Sequence, residues 1–213
     1  MTVSAAAVGG PRRLRADAVR NRQRLIDAAA EVFAARGLDA TLDDIARHAG
    51  VNVATAYRHF ANKHELAHEF LRQCVDRAVA TAEEAAAEPD PWAGLTQFLE
   101  RSLEMISSNR ALVDVLTRAY GAEHFAEMLQ RSWPPLEQLL ARGRAAGVVR
   151  ADIGVTDFPP ILEMLGSVTG HGEPCLPDRY IGLILAGLRP DPDPLPGEPI
   201  TRERLLELVA AKA

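Results

Sequence analysis

The stretch "HELAH", residues 64–68, sets two histidines four apart with a glutamate directly after the first. On a helix, His64 and His68 would share one face and could hold a zinc ion, with Glu65 as the general base of a peptidase. Such a site also needs a third ligand, a dry cleft and usually a strand edge for the substrate backbone. Glu83, Glu84 and Glu88 lie on or just past the same helix. At 1.5 Å per residue they sit roughly 20 Å or more from His68. Glu65 has a simpler use, because Asn62 and Glu65 are spaced as a capping box at a helix start. Zinc peptidase therefore stands as the alternative reading, and no metal, cofactor or catalytic residue is expected. His171 and Cys175 are two ligands of an incomplete site.

The elements that position these residues are helical. The chain has 213 residues, 47% of them hydrophobic and only 5% aromatic, with abundant Ala and Leu, which favours an all-α fold. No apolar run approaches the ~18 residues that span a bilayer. The start, "MTVSAAAVGGPRR", lacks the basic residues of a secretory signal before its small apolar ones. Two cysteines cannot build a disulfide framework. A cytoplasmic protein is expected. The net charge of −5 hides an asymmetry, since residues 1–63 carry +4 and the remainder −9. A basic head on an acidic body suggests an anionic partner for the head alone.

Residues 1–16 read as a flexible basic arm carrying Arg12, Arg13 and Arg15. A helix follows from Asp17 to Arg36, with Ile26, Ala29, Ala30 and Phe33 inward and Gly37 as its stop. Thr41 and Asp44 form a capping box for a short helix reaching Ala49, closed by Gly50. Asn52 caps a second short helix, Val53 to His59, and a long helix runs from the Asn62 cap to about Ala86. Two short helices hinged at a glycine, with a small Ala46 four residues before it, describe a helix-turn-helix. The spacing beyond predicts helices at 90–107, 109–120, near Phe125, 133–146, 157–168 and 177–188. A proline-rich linker and a last helix capped by Thr201 complete the chain.

The stretch "ARGLDATLDDIARHAGVNVATAYRHFANKHEL" closely resembles the DNA-binding domain of TetR-family transcriptional regulators. The resemblance covers about Arg22 to Leu71. It implies a three-helix DNA-binding domain at 17–63, followed by a helical effector-binding and dimerisation domain at 64–213. It further implies that Asn52, Val53, Ala54 and Thr55 face base edges in the major groove of double-stranded DNA. Thr41, Tyr57, His59 and Lys63 would meet phosphates, and Arg58 either bases or backbone. Phe60 would plug the small domain's core. Asn52, Ala54 and Ala56 stand where family members often have Ser, Gly and a larger aliphatic residue.

The family implies a homodimer on a palindromic operator, most often as a repressor, with two late helices of each subunit forming a four-helix bundle. Leu162, Leu165, Ile181, Ile184, Leu185 and Leu188 are the candidate interface. A small-molecule effector would bind among the middle helices, with Phe98, Arg101, Met105, Tyr120, Phe125, Trp133 and Met164 as candidate lining residues. A third reading keeps the body as a helical interaction module whose head no longer binds DNA.

Overall fold

The computed structural model describes residues 11–116, 122–169 and 176–212. Among the described residues are nine α-helices: α1 Pro11–Arg36, α2 Leu42–His48, α3 Val53–His59, α4 Lys63–Ala87, α5 Pro91–Leu116, α6 Ala122–Ala145, α7 Phe158–Thr169, α8 Leu176–Gly187 and α9 Arg202–Lys212. No strand occurs among them, and none of these helices is long and apolar enough to cross a membrane. The chain divides into two compact units, with the division between Phe70 and Leu71 inside α4.

In the first unit α1 begins at Pro11, six residues before the expected start at Asp17. Proline at the first helical position needs no N–H donor and has its φ preset, so the helix absorbs part of the expected arm. The inward face of α1, Leu25, Ile26, Ala29 and Phe33, is buried together with Ile45 and Ala46 of α2 and Ala56 of α3. Ala46 and Ala56 are wholly buried, so a larger side chain at either would push the two short helices apart. Gly50 turns the chain between them at φ +61°, a conformation other residues adopt at a cost of roughly 1 kcal/mol or more. The Val51 N–H then returns to the Ala46 carbonyl at 2.9 Å. Arg24 of α1 donates to the Ala49 carbonyl at the end of α2, and a Cβ on Gly50 would come within 2.9 Å of that guanidinium.

The second unit has a core drawn from α4 to α9, centred on Leu95, Phe98, Leu99, Trp133, Leu136, Leu139 and Phe158. Two pairs of expected helices are single ones. α5 continues through Ser107, whose hydroxyl donates to the Leu103 carbonyl one turn back at 2.7 Å and so does not compete with the helix. α6 runs through Pro134 and Pro135, which the sequence places in the first turn of a helix starting at Trp133. Each ring denies a donor to the carbonyl four residues earlier. Those carbonyls belong to Gln130 and Arg131, both on the exposed side. Leu129, Trp133, Leu136 and Leu140 are buried on both sides of the prolines, and that packing outweighs the local defect.

Two arginines tie this unit's ends together. Arg142 donates to the Ala86, Glu88 and Pro89 carbonyls at 2.6 Å each, satisfying acceptors at the end of α4. Arg150, buried, pairs with Asp152 and donates to the carbonyls of Gly187 at the end of α8 and Asp193 in the proline-rich segment. Its guanidinium holds the Asp152 carboxyl far below the usual carboxylate range, and the Leu195 N–H adds to this.

Candidate nucleic-acid interface

The capping box at α2 is complete. The Asp44 N–H donates to the Thr41 hydroxyl at 3.1 Å, and the Thr41 N–H donates to the Asp44 carboxylate at 3.1 Å. The Thr41 hydroxyl also donates to that carboxylate at 2.6 Å. These bonds, the hydroxyl's first, lower the Asp44 pKa from 3.8 to about 2, with Arg36 and Arg47 contributing. A depressed pKa gives stability that is complete above the ordinary value and is lost as pH falls toward the folded one. Urea melts of the protein and its Asp44→Asn variant are expected to differ above about pH 4 and to converge as pH falls to about 2. Curves that stay parallel across this window would remove Asp44 from the acid response.

Helix α3 is held from beneath and open from above. Ala56 and Phe60 are buried, whereas Asn52, Ala54, Tyr57 and Arg58 are exposed and Val53, Thr55 and His59 half-buried. The Asn52 side-chain oxygen accepts the Ala54 N–H at 2.9 Å, which caps the helix and does not use the amide NH₂. Under α3, the Arg22 guanidinium lies 5.1 Å from the Phe60 ring centroid and bonds Glu69 at 2.9 Å. The stack ties α1 to the end of α3 and the start of α4. Tyr57 is half exposed, with Asp43 of α2 as its charged neighbour. The Asp43 carboxylate, as acceptor and as negative charge, pushes the phenol pKa up. One Asp43 oxygen, Oδ1, is buried with no donor among the described residues.

Lys63, half-buried, opens α4 beside this surface. The Asn62 side chain accepts from the His64 and Glu65 N–H groups at 3.0 Å each. The Glu65 carboxylate takes the Ala61 N–H at 2.6 Å, one residue further back than the expected box partner, Asn62. Glu65 is thus engaged in starting a helix. Among the described residues no three His, Cys, Asp or Glu side chains gather where they could hold a metal ion.

In the second unit the candidate effector residues scatter. Phe98 and Trp133 are buried, Phe98 edge-to-face with Phe158 at 5.6 Å and Trp133 beneath the Arg202 guanidinium at 4.9 Å. The Trp133 indole N–H is buried with no acceptor among the described residues. Met105 and Phe125 are half-buried, and Tyr120 lies outside the described residues. Two candidates are corrected. Arg101 is exposed and paired with Glu84, and Met164 is 57% exposed, so neither lines an interior space. The candidate interface residues change as well. Leu165, Ile181 and Leu188 are buried within the chain, and Leu162, Ile184 and Leu185 pack half-buried against its core. Among the described residues, the large apolar side chains exposed on α7 and α8 are Met164, Tyr180 and Leu183.

The first unit is a helix-turn-helix with a short, outward-facing second helix, the architecture that enters a DNA major groove. Residues 25–70 match the model for bacterial regulatory proteins of the tetR family, and residues 90–190 that for the C-terminal domain of SbtR-like transcriptional regulators. A TetR transcription regulatory protein of solved structure from Mycobacterium vanbaalenii is 32% identical, over 83% of this chain and 99% of that one, with a TM-score of 0.63. The chain belongs to the TetR family of transcriptional regulators. It is also 55% identical over 56 residues to the HTH-type transcriptional regulator TtgW of Pseudomonas putida (26% of this chain, 42% of that protein). To the HTH-type transcriptional repressor KstR2 of Rhodococcus jostii it is 35% identical over 96 residues, 44% of this chain and 47% of that protein. The chain thus spans less than half the length of these two relatives.

Sequence reasoning missed Arg22 and Arg24 as supports of the exposed helix and Asp43 as the carboxylate that shifts Tyr57. The first two carry no local signal, because their partners lie 25 or more residues away. Asp43 is visible only as one of two acids in the first turn of α2.

Proposed function

We propose that this chain is a homodimeric, ligand-responsive repressor that binds a palindromic operator through α3 of each subunit. The observation that carries the reading is the outward set Asn52, Ala54, Tyr57 and Arg58 on a helix seated on buried Ala46 and Ala56. Asn52, Ala54 and Thr55 would meet base edges, with Val53 lining the groove. Thr41, Tyr57, His59 and Lys63 would meet phosphates, and Arg58 either. One such helix reads too few base pairs for useful specificity, so a two-fold partner on the adjacent groove turn is the natural complement. The outward Met164, Tyr180 and Leu183 support a partner contact through α7 and α8. Repression is the sign carried by the KstR2 relative's name. The protein would act in the cytoplasm, where its DNA is.

The effector reading rests on α5 and α6. Trp133 supports it, because a buried indole N–H without an acceptor is costly and a ligand oxygen would satisfy it. A ligand changes operator affinity only by favouring one of two arrangements of the heads.

The test is on DNA. Lys63→Ala is expected to weaken binding to every duplex alike and to reduce the salt slope by about one unit. Asn52→Ala is expected to change which sequences are selected from a random pool. An unchanged slope for the first, together with an unchanged selection profile for the second, would remove both residues from the interface.

A further inference from the structure

The proline-rich segment between α8 and α9 is fastened rather than loose. At its start the Arg189 guanidinium lies over the Trp92 ring, 3.4 Å from the centroid. Further on, the buried Arg150 donates to the Asp193 carbonyl at 3.0 Å, and the Asp152 carboxylate accepts the Leu195 N–H at 2.7 Å. Gly197 then turns the chain at φ +81°, with nothing within 4 Å of where a Cβ would stand. Beyond this turn the attachment is shallow. Of residues 202–211 only Leu205 is buried, while Arg202, Leu206 and Val209 are half-buried. Leu205 belongs to the same apolar cluster as Trp133, and Arg202 covers the Trp133 ring while pairing with Glu137 one turn along α6. A helix of 11 residues has little stability of its own in water. α9 is therefore helical because it is docked, and one buried leucine supplies most of the apolar contact that docks it. The match to the SbtR-like C-terminal domain ends at residue 190, so α9 lies beyond the shared body.

We propose that α9 is a detachable cover on α6, anchored by Arg150 and Asp152 and hinged at Gly197, whose release opens the way to Trp133. The proposal rests on the reading that an effector binds at Trp133. While docked, α9 lies over an indole that is 5% exposed and whose N–H has no acceptor among the described residues. Release gives up one buried leucine and one ion pair and returns conformational freedom to the segment, an opening of the local kind that leaves the rest of a domain folded. The anchor at 193–195 precedes the hinge, so the cover stays tethered beside the face that it leaves. An effector meets only the open fraction, and its apparent affinity falls in proportion to that fraction. α9 thus competes with the effector from within the chain and sets the concentration at which the regulator responds.

The experiment uses the full-length protein carrying Trp92→Phe, which keeps a ring under Arg189 and leaves Trp133 as the sole tryptophan. Hydrogen exchange is expected to label the amides of α9 roughly a hundredfold faster than those of α5 and α6. Leu205→Ala is expected to raise that exchange by roughly tenfold or more. Acrylamide quenching of Trp133 fluorescence is expected to rise with it, and the melting temperature of the body to stay where it was. Arg202→Ala, which empties no core position, is expected to act in the same direction more weakly. The binding probe is anilinonaphthalene sulfonate, an apolar ring system with acceptor oxygens, followed by energy transfer from Trp133. Its apparent affinity is expected to rise by roughly tenfold in Leu205→Ala, in step with the open fraction. Exchange of α9 in step with α6, or a melting temperature that falls with Leu205→Ala while quenching does not change, would make α9 a fixed part of the core. Either result would overturn the cover and leave the effector reading standing. Fast exchange and open quenching with no energy transfer to the probe in any variant would overturn the effector reading at Trp133, and the proposal with it.

Discussion

Replacing Phe60 with alanine is expected to unfold the first unit and abolish operator binding, although Phe60 faces no base. Its ring is 1% exposed and is among the largest fully buried side chains of the protein. Phe→Ala at such a site costs about 3–5 kcal/mol, from lost transfer energy plus the cavity left behind. A whole domain is stable by only about 5–15 kcal/mol, and small units lie at the low end. The Arg22 guanidinium would also lose the ring it lies over, 5.1 Å away, which links α1 to the end of α3. The outward residues of α3 would then have no fixed platform. Thermal unfolding followed by circular dichroism is expected to show an early transition for part of the helix signal, and a labelled operator no saturable binding. Phe60→Leu, which keeps most of the volume, is expected to retain binding with a smaller loss of stability. A Phe60→Ala protein that melts and binds like the parent would mean that α3 is held by something other than this core.

The features legible in the sequence are the ones decided within a few residues. Thr41 with Asp44, Asn52 before α3 and the glycine at 50 each act on backbone groups no more than four positions away. Their spacing alone therefore places α2, the turn and α3. The same locality misled at Pro134 and Pro135, where a breaker signal is overridden by leucines on both sides that find a core. It misled again at α1, where arginines and small residues before Asp17 read as an arm although Pro11 makes a good helix start. The reach of Arg24 to the Ala49 carbonyl depends on how α1 and α2 cross, and no periodicity encodes that. The buried stripes of α7 and α8 were legible as stripes. What they face was not, because an apolar helix surface reads alike against its own chain or a second copy.

That last ambiguity defines a second strong effect, Leu183→Glu. Leu183 on α8 is 55% exposed and stands on the outward side with Tyr180, whereas Ile181 is 7% exposed and belongs to the chain's own core. The substitution therefore leaves the isolated subunit nearly as stable as before. In a two-fold dimer through α7 and α8 the position recurs on both subunits, so each change counts twice. Burying a leucine contributes about 1.5–3 kcal/mol, and two lost leucines weaken association by a factor on the order of 10² to 10⁴. Two carboxylates facing each other in a water-poor contact add to the loss. Sedimentation is expected to show a folded monomer with an unshifted melting temperature, and its operator affinity is expected to fall because one head reads only half the site. Ile181→Glu is the contrasting variant, expected to lower the melting temperature through the subunit's own core. A Leu183→Glu protein that remains dimeric and binds operator normally would place the partner contact on another surface.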